Sequence, residues 1–395
     1  MNPGVCNEKF PDLIFNSMPY FQTKTSLPDI RDLFFSILIR TPQASFLCDY
    51  WKIDDHKKFL FSRSSHALRF IAKLKLDCSK KKRINIWIPS YFCDESLIPL
   101  RKENVNIIFY PILDDGSPSM DAIHSLITEE NKPDLLMATH FFGQIIDISK
   151  FVKFADSQGA WVIEDGAHIL KAENKLGSKS HFIFFSPHKL LPIPDGSILL
   201  MNDHRLSEDV NYEYDRCRTI YHEYINGSRK NTSDIVIWVF KRFLQSIGIR
   251  KRPQVSLDIF GDDLLKTNNT FKGPRISTFS LKLISLLSQF EHECSSRKEN
   301  YIFWRNLFLD NGLNGEELFS LGDLECPYIF AIRFKDESKL IDAVEFINEK
   351  NIPVSSWPDL PAEVLMNNDY FKNSIDMKRQ TLFLPVHSSL RLELI

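Results

Sequence analysis

Cysteine is sparse in this chain, and no two cysteines lie close together in the sequence. The seven cysteines (Cys6, Cys48, Cys78, Cys93, Cys217, Cys294 and Cys326) are odd in number and contain no CxxC spacing. That pattern excludes a disulfide framework and a zinc site as expectations. No apolar run approaches the ~20 residues that a membrane helix needs. The opening MNPGVCNEKF lacks the basic stretch and apolar core of a signal peptide. Net charge is only -2, so there is no footprint for nucleic acid or for an anionic membrane surface. These absences together predict a cytoplasmic protein without metal, nucleic-acid or membrane partners.

What is present is ordinary globular material, 43% hydrophobic and 25% charged, with 32 phenylalanines available for core building. A length of 395 residues suits two domains, or one large domain with a smaller appendage. Residues 1–54, proline-containing with one amphipathic patch at Ile30–Ile39, are expected to form an N-terminal arm. From residue 55 onward short apolar runs alternate with helical patterns. A turn leads into a helix over Phe61–Leu76, with Ser64 and Ser65 where an N-cap belongs. Ile84–Ile88, Val105–Ile112, Asp134–Phe142, Trp161–Ile163 and Phe182–Phe185 read as strands. Cys93–Arg101, Met120–Ile127 and Ile148–Gln158 read as helices between them. The runs are apolar throughout rather than alternating, as in strands covered on both faces. This predicts an α/β fold with a doubly wound, mainly parallel sheet over 55–270, including a helical insertion near 205–270. Ser280–Phe308 reads as one long helix. Strand, helix and strand patterns after Tyr328 predict a small α+β domain over 271–395.

Two of the strands end on chemistry. Asp165 follows Trp161–Ile163, with His168 three residues on; Ser186 and Lys189 follow Phe182–Phe185. Ligands of parallel sheets bind beyond the carboxyl ends of the strands. A lysine and a carboxylate there are what a pyridoxal phosphate (PLP) enzyme needs: the amine makes a Schiff base, and the carboxylate keeps the pyridine nitrogen protonated. From the residues alone other readings stand. Asp165 and Lys189 can be a buried ion pair, Asp165 a helix cap, His168 a satisfied core histidine, and Ser64 and Ser65 a plain N-cap.

Taken in order, the segments resemble the PLP-dependent sugar aminotransferases of the DegT/StrS family, within the fold-type-I group. Ser64-Ser65-His66-Ala67-Leu68 resembles the Gly-Thr-Ala-Ala-Leu helix start of that family. Ile88-Pro89-Ser90-Tyr91 resembles its VPSF/Y strand end, and His140–Gln144 its HLYGQ. Val162–His168 resembles VIEDAAQ/H, Pro187-His188-Lys189 with Asp195-Gly196 the PxK…GDGG block, and Phe383–His387 LPVH. The resemblance spans roughly residues 55–390. It implies Lys189 as the Schiff-base lysine and proton-moving base, Asp165 at the pyridine nitrogen and His168 at the phenolic oxygen. It further implies Ser64 and Ser65 at the phosphate, Tyr91 or Phe92 stacked on the ring, and a homodimer. The implied reaction moves an amine from an amino acid, glutamate by family analogy, to a nucleotide-linked keto sugar, as in cell-surface polysaccharide synthesis. Some relatives carry histidine in place of the lysine and dehydrate instead; Lys189 favours transamination.

The chain also departs from the family. The phosphate-binding serine, five residues before the lysine, is Phe184 here, with Ser186 the nearest substitute. Cys93 stands where an aromatic is usual. The NYRMS segment, a phosphate ligand donated by the partner subunit, becomes Gly273–Ser277, leaving Arg275 to serve. A non-catalytic or regulatory relative is therefore the alternative expectation.

Overall fold

The computed structural model describes residues 23–42, 51, 56–170, 176–209, 211–227, 231–246, 273–286, 290–323, 326–357, 359–390 and 392. Its centre is a seven-stranded sheet built from β1 (His56–Phe61), β2 (Ile84–Pro89), β3 (Val105–Tyr110), β4 (Leu135–Thr139), β5 (Trp161–Gly166), β6 (Phe182–Phe185) and β7 (Ser197–Asn202). The spatial order is β1-β7-β6-β5-β4-β2-β3. Strands β2 to β6 pair in parallel, whereas β7 runs antiparallel to both β6 and β1. Every residue of β4, β5, β6 and β7 is buried. That follows from their mainly apolar sequences, since each apolar side chain taken fully out of water contributes about 1.5–3 kcal/mol.

Strand β1 has no counterpart in the sequence reading. Its sequence HKKFLF is polar over the first half, as suits the edge of a sheet. The expected N-cap also shifts by one: helix α2 (Ser64–Ser79) starts after Arg63, which holds the extended cap conformation (φ -144°, ψ 151°). Ser64 and Ser65 are its first two helical residues. The Cys93–Arg101 helix is interrupted, giving a turn at Asp94–Leu97 and a 3₁₀ turn at Leu100–Lys102 on either side of Pro99. Of the long helix expected over Ser280–Phe308, Thr278–Leu286 and Phe290–Asp310 are helical, and residues 287–289 lie outside the described residues. Residues 352–355 form no strand and contribute only the bridge from Ser355 to Phe383.

The C-terminal part carries a three-stranded antiparallel sheet of β8 (Glu316–Glu317), β9 (Ile329–Arg333) and β10 (Thr381–Pro385), in the order β10-β9-β8. The helix Glu337–Glu349 buries Leu340, Ala343, Val344 and Ile347 from one face. From the expected arm, helix α1 (Ile30–Leu38) packs against the helix Thr278–Leu286. Among the described residues no helix is long and apolar enough to cross a membrane, and no three acidic, histidine or cysteine side chains form a metal-holding group.

At the end of the sheet away from the strands' carboxyl edge, His181 is buried. Its Nδ1 accepts the Val162 N–H at 2.9 Å, and burial beside Arg205 and Lys75 pushes its pKa down to about 3. The folded state thus binds fewer protons there than the unfolded chain. Stability is full above the ordinary histidine pKa and is lost as pH falls from about 6.5 toward 3. Between pH 7 and pH 4, wild type is expected to lose roughly 3 kcal/mol more stability than His181→Asn, whose amide oxygen replaces the acceptor without titrating. Denaturant titrations of both proteins at the two pH values read this out; equal losses would show that His181 does not resist protonation.

Candidate active site

Five connections meet at one edge of the sheet: those leaving the carboxyl ends of β1, β2, β4, β5 and β6, the last of which leads into antiparallel β7. They border a cavity of about 440 Å³, within the ~300–1,000 Å³ usual for small-molecule sites. The C-terminal part supplies the opposite wall through Tyr328, Ser355, Ser356, Trp357 and Phe383, and Lys24 and Thr25 of the N-terminal arm complete the rim.

Lys189 enters this cavity from the short helix Pro187–Leu190, and His168 enters from the turn after β5. Their side chains meet, with Lys189 Nζ 3.2 Å from His168 Nε2. Nδ1 of His168 accepts the backbone N–H of Phe142 at 3.2 Å. A neutral imidazole that accepts at Nδ1 carries its hydrogen on Nε2. His168 therefore donates to Lys189, and only an uncharged amine can accept. Burial lowers the pKa of both groups, that of His168 well below the ordinary histidine range, which agrees with this state. Asp165 works in the other direction on the lysine: its charge raises the amine's pKa, although burial outweighs it. Burial also raises the pKa of Asp165 itself, opposed by Lys189 and by the Ala167 N–H, which Asp165 Oδ1 accepts at 2.9 Å.

The imidazole is fixed from its faces as well. The rings of Phe142 and Tyr328 lie within 5° and 6° of parallel to it, at centroid distances of 5.6 and 4.4 Å. Phe142 adopts a left-handed backbone (φ 56°), rare for an aromatic residue. In that conformation its N–H reaches His168 while its carbonyl accepts the Tyr328 N–H at 2.9 Å. Gly143 follows at φ +103°, where an added Cβ would lie 2.6 Å from the Cys326 carbonyl oxygen. Gly143→Ala is expected to cost at least about 1–3 kcal/mol. A melting curve measures the loss, and an unchanged midpoint would show that the turn relaxes freely.

The remaining candidates divide. Ser64 and Ser65 line the cavity. Tyr91 and Phe92 are buried and stand outside the lining; the Tyr91 ring stacks on Trp357 at 4.3 Å instead. Ser186 is buried outside the lining too, with its hydroxyl unpartnered. Arg275 is exposed and away from the cavity, although its neighbours Gly273 and Pro274 hold Ser62, the residue before Arg63, through their carbonyls. Phe184 packs in the core beside Asp165 on β5 and offers no ligand. Asp195 accepts hydrogen bonds from the Ser277 and Ser280 hydroxyls and so anchors its loop.

Several lining residues were missed by the sequence reading: Arg63, Phe142, Tyr328, Trp357 and Lys24. Only Arg63 had a signal, a cation immediately before a helix start.

Comparison with known proteins bears on this arrangement directly. Residues 103–220, which carry Asp165, His168 and Lys189, match the DegT/DnrJ/EryC1/StrS aminotransferase family. Among solved structures, a sugar aminotransferase from Streptococcus pneumoniae described as putative and in its PLP form superposes with a TM-score of 0.67 at 12% identity, over 95% of each chain. The Helicobacter pylori aminotransferase of pseudoaminic acid biosynthesis gives 0.61 at 15% identity, also over 95% of each chain. An Escherichia coli GDP-4-keto-6-deoxy-D-mannose-3-dehydratase with bound hydrated PLP gives 0.60 at 15% identity, over 94% of this chain and 95% of that one. The fold is thus that of the fold-type-I PLP transferases. A serine hydroxymethyltransferase from Campylobacter jejuni subsp. doylei is 28% identical over 108 residues, a match spanning 26% of this chain and 26% of that protein.

The side chains present fit PLP as a resident group. A buried amine whose pKa is lowered by burial faces the cavity, a buried carboxylate acts on it by its charge, and a guanidinium with two serine hydroxyls lines the same cavity. When bound, PLP supplies an aldehyde for the amine and a ring that takes up electrons.

Proposed function

We propose that this protein is a PLP-dependent aminotransferase that moves an amino group from an amino acid, glutamate in the first instance, to a nucleotide-linked keto sugar. The observation carrying the reading is the contact of Lys189 with His168 in one cavity of a fold-type-I chain, with the buried Asp165, behind the lining, close enough for its charge to act on Lys189. Lys189 Nζ holds the cofactor and then takes and returns the proton at the substrate carbon that bears nitrogen. An amine already uncharged at rest is ready for both tasks. Asp165 keeps the proton on the ring nitrogen through its negative charge. His168 orients the amine through Nε2–H. Phe142, Tyr328 and Trp357 wall the cavity and exclude water. A lysine at the reacting position favours amine transfer over dehydration. Sites of this fold open near a subunit boundary, and a homodimer in the cytoplasm belongs to the same proposal.

The test is an absorbance titration of the purified protein with PLP, followed by glutamate and glutamine. A visible band that forms with cofactor and shifts on adding the amino donor supports the reading. A protein that takes up no PLP overturns it. Uptake of PLP without any shift for a panel of amino acids favours the non-catalytic alternative.

A further inference from the structure

Phe184 and Ser186 leave the cofactor's phosphate without the ligand expected on β6, so the cavity must hold that charge elsewhere. Arg63 is the one arginine among the described residues that lines it. Its side chain is not a loose surface group. The two terminal nitrogens donate to the carbonyls of Ser62 at 3.0 Å and Pro194 at 2.9 Å, which fixes the plane of the guanidinium between the start of α2 and the loop before Gly196. Burial lowers its pKa to about 10, against the favourable charge of Asp195, so it remains a cation at neutral pH. Asp195 is engaged by the Ser277 and Ser280 hydroxyls. The next two residues, Ser64 and Ser65, also line the cavity and begin the 16-residue helix α2. The N–H groups of a helix's first turn have no intrahelical acceptor, and they favour an anion. Residues 63–65 thus place a guanidinium, two hydroxyls and backbone donors in consecutive positions on the same wall as Lys189. Glu95, also in the lining, is the one carboxylate among the described lining residues that opposes them.

We infer that Arg63 is the main phosphate ligand of the cofactor, supplying from this chain's own helix start the charge that Phe184 and the exposed Arg275 do not. A phosphate monoester carries between one and two negative charges near neutral pH and accepts paired N–H donors from a guanidinium. This inference rests on the PLP reading above.

Its test compares PLP with pyridoxal, the same aldehyde without phosphate, binding to wild type, Arg63→Ala, Arg63→Gln and Arg63→Lys. Removing Arg63 is expected to weaken PLP about 10–100-fold while leaving pyridoxal nearly unchanged, with Arg63→Lys between. Inorganic phosphate is expected to raise the melting temperature of wild type but not of Arg63→Gln. Equal loss of PLP and pyridoxal would make Arg63 a structural residue and overturn the inference. So would unchanged PLP binding with a raised KM for the amino donor, which would assign Arg63 to the donor's carboxylate. If Arg63→Ala fails to fold, Arg63→Gln, which retains an N–H donor for the carbonyls, decides the matter alone. Wild type that binds neither compound fails the PLP reading itself, and Arg63 falls with it.

Discussion

Lys189→Ala is expected to abolish the visible cofactor band and to slow the half-reaction with the amino donor by about 10⁴-fold or more, while the protein still folds. The magnitude follows from what is lost together: the amine in contact with His168 Nε2, at 3.2 Å, and the proton carrier that this contact positions. The physical case depends on protonation. Phe142 N–H fixes the His168 tautomer, the tautomer makes Nε2 a donor, and a donor at 3.2 Å requires an uncharged lysine. A guanidinium does not deprotonate in this range, so Lys189→Arg is expected to be as inactive as Lys189→Ala although it keeps the charge beside Asp165. Single-turnover kinetics with glutamate and a melting curve for each variant separate chemistry from folding. Half-reaction rates within 10-fold of wild type in Lys189→Ala would remove the lysine from the mechanism. Exogenous methylamine is expected to restore part of the rate in Lys189→Ala but not in Lys189→Arg, whose side chain fills the space.

How much of this was legible in the sequence depended on how local the signal was. Strands β4 to β6 announced themselves because burial on both faces demands apolar runs such as Phe182–Phe185. Asp165 and Lys189 stood out as candidates because each lies just beyond the end of such a run. Strand β1 was not legible, since an edge strand tolerates the polar His56-Lys57-Lys58. Tyr91 illustrates a different limit. An aromatic after a strand end is equally suited to a ligand and to a core, and here Trp357, some 266 positions away by number (357 − 91), takes the stacking contact. Tyr328 and Trp357 reach the cavity only because the C-terminal sheet folds back over it, which no local pattern encodes. Arg63 lay between: its position before a helix was visible, but the Pro194 carbonyl that orients it was not.

The second large effect belongs to Asp165, where a conservative change distinguishes two roles that the sequence left open. Asp165 Oδ1 accepts the Ala167 N–H at 2.9 Å, a local turn bond that an asparagine oxygen makes equally well. The charge is a separate matter. Burial raises the carboxyl pKa, Lys189 opposes that rise, and a cationic ring nitrogen beside it would oppose it further. Asp165→Asn therefore removes the charge and keeps the turn. The expected result is a folded protein that still takes up PLP at Lys189, with a half-reaction slowed by about 10²–10³-fold, the usual loss when one group stabilising developing charge is removed. Because the ring nitrogen then loses its proton more easily, the residual rate is expected to rise as pH falls, whereas a plain capping role predicts neither the slowing nor the altered profile. A pH series of single-turnover rates for both proteins decides between them: wild-type rates in Asp165→Asn across that series would reduce Asp165 to the cap of a turn.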